Sequence, residues 1–138
     1  MNKGSYLLIV KVKKNVTIKV GRLGEIVFNP GYYIYVGSAM NNLVKRVKRH
    51  FDKNKKIRWH IDYLTSKIKP EKAILIPSNE KIECLVAKQL AKYFSFISNF
   101  GCSDCSCESH LFYSKSYPRL DKILRNAGFN VLVKLVPK

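Results

Sequence analysis

Four potential metal ligands crowd one short run: Cys102, Cys105, Cys107 and His110 spell C-x-x-C-x-C-x-x-H. Thiolate and imidazole are the donors zinc takes in structural sites, so this run is a candidate Zn2+ site. It is tighter than the usual arrangement of two distant ligand pairs. The same residues suit reduced buried thiols, or a disulfide in a hyperthermophile. His110 also suits the lining of an active site.

A second grouping lies upstream. Met40, Leu43, Val44, Val47 and Phe51 fall on one stripe at helical spacing, which predicts a helix over 39–51. On a wheel with Leu43 at zero, Lys45, Lys48 and Arg49 fall at roughly 140–240°, on the solvated side. Arg46 and His50 fall at roughly 300° and 340°, on the shoulder of the stripe. Four residues apart, they share one edge of the helix. A half-desolvated Arg there suits a bidentate grip on phosphate, and equally suits simple snorkelling. Lys45, Lys48 and Arg49, with Lys53, Lys55 and Lys56 of the following basic loop, are candidate phosphate-facing charges.

Acids are scarce: Asp+Glu number 9 against Lys+Arg 26, for a formal net charge of +17. Each carboxylate is therefore informative. Glu83 lies about 100° from Ile82 on a predicted helix over 80–97, beside apolar neighbours, where a bare carboxylate is costly without a cation. It is the best candidate for a hard-metal ligand, against a plain ion pair or helix-end charge. Tyrosine occurs 8 times. Tyr35 precedes a Gly37-Ser38 turn that feeds the basic helix, a plausible mouth for a phosphodiester because helix N-termini attract phosphate. Tyr6 opens the first strand.

The surroundings that must position these groups read as α+β in one domain spanning 1–138. Strands are predicted at 6–13, 16–20, 25–28 and 32–36, joined by turns at Gly21–Gly24 and Asn29–Gly31, in the manner of an antiparallel meander. Further helices are expected at 59–68, at 80–97 with Pro77-Ser78-Asn79 as caps, and at 117–127 ended by Gly128. Strands at 72–76, 111–113 and 131–136 complete the set. The charge favours polyanionic partners, nucleic acid before anionic membrane. No apolar run spans a bilayer, and lysines interrupt the N-terminal apolar run, against a signal peptide. A cytoplasmic location with reduced or metal-bound cysteines is expected.

In order along the chain, Gly4-Ser5-Tyr6, Tyr35-Val36-Gly37, Arg46 with His50, and Glu83 resemble the GIY-YIG nuclease domain. The stretches VGRLGEIVFNPGYYIYVGSA, RWHIDYL, IEC and SDCSCESHLFY resemble more narrowly an archaeal and bacterial branch once known only as a domain of unknown function and sometimes fused to endonuclease III. The resemblance covers nearly the whole chain. It implies a central antiparallel sheet flanked by helices, with an extra hairpin over 16–28 between the two motifs. It implies a DNA endonuclease using one divalent ion, Mg2+ or Mn2+, that is structure-selective or nonspecific and acts in DNA repair or processing, with a repair protein as possible partner. Tyr6 or Tyr35 would deprotonate or position the water, Arg46 would stabilise the phosphate, His50 would assist proton transfer, and Glu83 would hold the metal. A phenol serves as base only if cations depress its pKa. Ser5 and Val36 replace the isoleucines of the motif name, and an Asn of parts of the superfamily has no clear counterpart. The same reading leaves RNA open as a substrate beside DNA. The competing readings are a non-catalytic nucleic-acid-binding module of a repair complex and a zinc-stabilised RNA-binding protein.

Overall fold

The architecture follows from two long apolar strands. In a computed structural model describing residues 2–102, 106–131 and 133–135, β1 (Gly4–Val12) is buried at every position but Lys11. A strand apolar on both faces needs cover on both. It pairs antiparallel along its whole length with β4 (Gly31–Ala39), from Gly4 opposite Ala39 to Val12 opposite Gly31. On its other side it pairs with β5 (Lys72–Pro77). With β6 (Ser95–Phe96), β7 (Leu111–Ser114) and β8 (Val133–Leu135), the six-stranded order is β6-β7-β4-β1-β5-β8, antiparallel throughout.

The expected meander does not form. β2 (Val16–Lys19) and β3 (Glu25–Phe28) make a separate two-stranded sheet. Each of these short strands buries one residue, Ile18 or Phe28, so they have little apolar surface to offer a central position. The long strands pair with each other, and the hairpin becomes an excursion between them.

Alternation along β1 and β4 divides the core. Tyr6, Leu8, Val10, Tyr33 and Tyr35 face α1 (Leu43–His50), α2 (His60–Thr65) and the hairpin, packing with Leu43, Val47, Ile61, Leu64 and Phe28. Leu7, Ile9, Ile34 and Val36 face α3 (Glu83–Leu90) and α4 (Leu120–Asn126), packing with Val86, Leu90, Leu120 and Leu124. The α+β class, with helices flanking an antiparallel sheet, thus holds. Among the described residues no helix is long and apolar enough to cross a membrane.

Helix lengths and faces differ from the periodicity. α1 starts at Leu43 because β4 runs on to Ala39; left-handed Asn42 caps it, its Oδ1 accepting from the Lys45 amide at 3.3 Å. Its buried face is Leu43, Val47 and His50, while Val44 is exposed. The buried stripe is thus rotated toward His50, leaving Arg46 on its edge. α2 covers only part of 59–68. α3 is shorter than expected because the chain turns after Leu90 to enter β6, so Leu85 and Tyr93 of the expected stripe are exposed. Ser78 does not cap it; its Oγ accepts from the Glu80 amide in the preceding turn, and Ile82 holds the cap position. α4 begins at Leu120, and Gly128 follows its end with φ +91°, as expected of a left-handed terminator.

Candidate active site

The first aromatic motif meets the second across the β1–β4 ladder. Tyr6 pairs with Gly37, and its ring lies on that glycine: a Cβ at 37 would stand 2.5 Å from the phenol Cζ and Oη. Only glycine admits the ring there. The two strands, α1, α2, the N-terminus of α3 and the segment before β7 enclose a cleft of about 550 Å³. Tyr6, Tyr35, Arg46, Glu83 and His110 all line it, so residues spread over more than a hundred positions converge on one site.

His50 sits behind Tyr6, fully buried, with Nε2 2.8 Å from the phenol oxygen. Its Nδ1 stands 3.8 Å from Asp62 Oδ1. That is too far for a hydrogen bond, but the carboxylate's charge favours a proton on the Nδ1 it faces, which leaves Nε2 to accept from the Tyr6 hydroxyl. Burial holds His50 at a pKa of about 3, against the pull of Asp62, and it is neutral at pH 7. Burial also pushes Tyr6 and Tyr35 above the usual phenol value, although Arg46 works to lower each. The expected cationic depression of a phenol is therefore outweighed by desolvation, and neither tyrosine is a resting tyrosinate.

Arg46 keeps the shoulder position expected of it, half-buried, donating to the Ser38 carbonyl at 3.2 Å with its guanidinium 4.7 Å from the Trp59 ring centre. Arg49 does not face solvent as the wheel had it. It reaches the same Trp59 ring at 4.7 Å and donates to both oxygens of buried Asp62, at 3.0 and 2.9 Å. The Arg58 and Trp59 amides donate to the same carboxylate, at 2.8 and 3.1 Å. Burial works to raise the Asp62 pKa, but Arg49 and these amides overcome it and hold the group below the carboxylate range. Lys55 likewise folds back, donating to the Asp52 carbonyl at 2.7 Å and the His50 carbonyl at 3.4 Å, which satisfies the end of α1. Lys45, Lys48, Lys53 and Lys56 are exposed, as expected of general phosphate attractors.

On the opposite wall Glu83 opens α3, with its side chain 24% exposed. Among the described residues it is the one carboxylate lining the cleft. Its Oε2 stands 3.8 Å from His110 Nδ1, and a carboxylate so placed is of the donor type hard divalent cations take. Beside it, ligand atoms of Cys84, Cys107 and His110 all lie within 4.8 Å of one another, a group that could hold a metal ion. Two members of the expected Cys/His run, Cys107 and His110, are in it. Cys102 is not; its thiol donates to the Phe100 carbonyl at 3.4 Å. Cys105 lies outside the described residues.

Sequence reasoning missed Asp62, Cys84, Trp59, His60, Arg58 and Lys81. His60 Nδ1 accepts from the Gly101 amide at 2.8 Å and ties α2 to the opposite wall, while Arg58 and Lys81 add cleft cations. The scarcity of acids that singled out Glu83 applied equally to Asp62, which lies in an apolar stretch.

The cleft thus gathers two buried tyrosines, an arginine and one carboxylate on an antiparallel sheet, with a neutral histidine behind Tyr6. The family model for a domain of unknown function, DUF123, matches residues 5–132, and the chain belongs to that family. Neither the curated proteins nor the solved structures gave a match.

Proposed function

We propose that this protein is a GIY-YIG-type, divalent-metal-dependent endonuclease that hydrolyses phosphodiester bonds in DNA, structure-selectively or without sequence preference, during repair or processing. The observation that carries this reading is the convergence of Tyr6, Tyr35, Arg46 and Glu83 on one cleft.

The residues divide the work as follows. Arg58 and Lys81 draw the backbone in, and Arg46, steadied by Trp59 and the Ser38 carbonyl, donates to the phosphate as charge develops on it. Tyr6 takes a proton from the attacking water while passing its own to His50 Nε2. Moving both protons together avoids a tyrosinate, which burial disfavours. The positive charge then on His50 faces Asp62, held ready by Arg49. Tyr35 closes the wall beside Tyr6 and excludes water. Glu83 would hold Mg2+ or Mn2+, whose chemistry when bound is to polarise the phosphoryl oxygens and lower the pKa of water.

The test is incubation with Mg2+ or Mn2+ and a panel of flaps, junctions, bubbles, duplex DNA and RNA. Arg46→Ala and Glu83→Gln should each lose on the order of 10²–10³-fold in cleavage rate while still binding the substrate. Cleavage of nothing on the panel, with salt-dependent binding unchanged in Glu83→Gln, would establish a binding module instead. Full activity in Arg46→Ala would refute the site. Cutting confined to RNA would correct the substrate.

A further inference from the structure

We propose that Cys84, Cys107 and His110 form a zinc site that ties the N-terminus of α3 to the segment before β7, and so fixes the place of Glu83. It is a different set of donors from the C-x-x-C-x-C-x-x-H run, because Cys84 comes from 18 residues before Cys102 and joins only through the fold.

Three observations converge. The donor atoms, two thiols and one imidazole nitrogen, lie within 4.8 Å of one another. Zn–S bonds of about 2.3 Å and Zn–N bonds of about 2.0 Å at tetrahedral angles place donors roughly 3.5–3.8 Å apart, so closure takes shifts of about 1 Å. The histidine is set up as a ligand: its Nδ1 lies 3.2 Å from the Val36 carbonyl, which can only accept. That bond puts the ring proton on Nδ1 and turns the Nε2 lone pair toward Cys84 Sγ, 3.9 Å away. A backbone carbonyl in this role is the usual outer partner of a zinc-bound histidine. The ring is also anchored through its own backbone, whose amide donates to the Phe100 carbonyl at 2.8 Å and whose carbonyl accepts from Val36 at 2.9 Å. Finally, Cys84 is the second residue of α3, where the helix N-terminus favours the thiolate that metal binding requires.

Donor chemistry chooses the ion. Thiolates select zinc over magnesium, whereas the neighbouring Glu83 carboxylate is a donor that magnesium accepts. Two adjacent cleft residues, Glu83 and Cys84, would thus serve a hard cation and a zinc ion side by side. The zinc site does not require that the cleft cleave anything.

The experiment uses the full chain, kept reduced and purified without added metal. Elemental analysis should find one zinc per chain, and Co2+ exchanged into the site should give the thiolate-to-cobalt charge-transfer and tetrahedral d–d bands of two sulfurs. Cys84→Ser and His110→Ala each remove a direct ligand and should weaken zinc by more than the roughly ten- to hundredfold that loss of an outer-shell partner costs, with Cys102→Ser retaining it. The cobalt spectrum of the wild-type chain reads the donor set even where a variant fails to fold. Absence of zinc with all thiols titrating as reduced, a cobalt spectrum without thiolate bands, or undiminished zinc affinity in Cys84→Ser would each overturn the assignment. None of these outcomes bears on cleavage, so the endonuclease reading stands or falls separately.

Discussion

The two walls of the cleft are built on opposite plans. The α1–α2 wall is a closed network: Asp62 is fully buried, four donor bonds from Arg49 and two amides end on it, and His50 and Tyr6 extend it toward the cleft. The α3 wall is half-buried and open, with Glu83 presented to the cleft and thiols beside it. On the first wall the buried Asp62 charge is met by Arg49 within the protein itself. On the second, the Glu83 carboxylate stands 3.8 Å from His110 Nδ1, beside a Cys84, Cys107 and His110 group that could hold a metal ion. The first wall is thus ordered around one buried carboxylate, and the second around the His110 ring and backbone, which Val36 and Phe100 hold.

The largest effect that separates them is on stability. Asp62→Ala leaves Arg49 beside a lost partner and removes the acceptor for two amides. It should cost about 3–5 kcal/mol, toward the lower end because Arg49 is 22% exposed, measured by urea unfolding. Glu83→Ala on the other wall should cost less than about 1 kcal/mol in the same assay. Equal losses would erase the contrast.

Next comes Gly37→Ala, which drives a methyl into the Tyr6 ring. A loss of about 1–3 kcal/mol is expected from overpacking, and the Tyr6–His50 hydrogen bond should be disrupted in the imidazole nitrogen NMR shifts. Gly24→Ala tests a different cost, since no atom lies within 4 Å of a Cβ there and only its φ of +79° opposes the change. It should cost less.

The pH profile isolates His50. Its folded pKa of about 3 lies below the ordinary 6.5, so the unfolded chain binds the extra proton between these values. Its contribution to stability is complete above about 6.5 and is lost as pH falls toward 3, at a slope of at most about 1.4 kcal/mol per pH unit. His50→Gln should flatten that slope in thermal melts. Asp62, held below 3.8, keeps its contribution above that value and loses it as pH falls further, so between about 3.8 and 6.5 the slope belongs to His50 and not to Asp62. A slope unchanged in His50→Gln would mean that His50 titrates normally.

The smallest stability effects belong to the solvated charges. Lys45→Ala and Lys48→Ala should change stability within about 0.5 kcal/mol. If DNA is bound, each should lower the salt dependence of binding by about one phosphate's share. Arg49→Ala should instead act chiefly on stability, because its guanidinium is engaged by Asp62 and Trp59.

Much of this fold is legible in the residues. β3 matches its expected span of Glu25–Phe28, and the alternation of Tyr33 and Tyr35 against Tyr32 correctly divides the faces of β4. Local periodicity and turn chemistry suffice there. Strand partnership is different. Val16–Val20 and Tyr32–Val36 look equally good as neighbours of β1, and only the nine-residue register and two-sided burial of β4 select it. The wheel likewise placed Arg46 correctly but misplaced Arg49, since it could not know that Trp59 and Asp62 would fold back over that side of α1.

The residues by themselves determined an excess of cations, a class of fold, and a short set of groups worth watching: Tyr6, Tyr35, Arg46, His50, Glu83 and a cysteine-rich run. Side-chain type and helical angle are local properties, and a local reading recovers them. The tertiary structure alone decided that Asp62 orders the first wall, that Cys84 rather than Cys102 stands with Cys107 and His110, and that burial rather than charge governs the tyrosines. Each of those depends on distances between elements and on exclusion of water, which no spacing along the chain encodes.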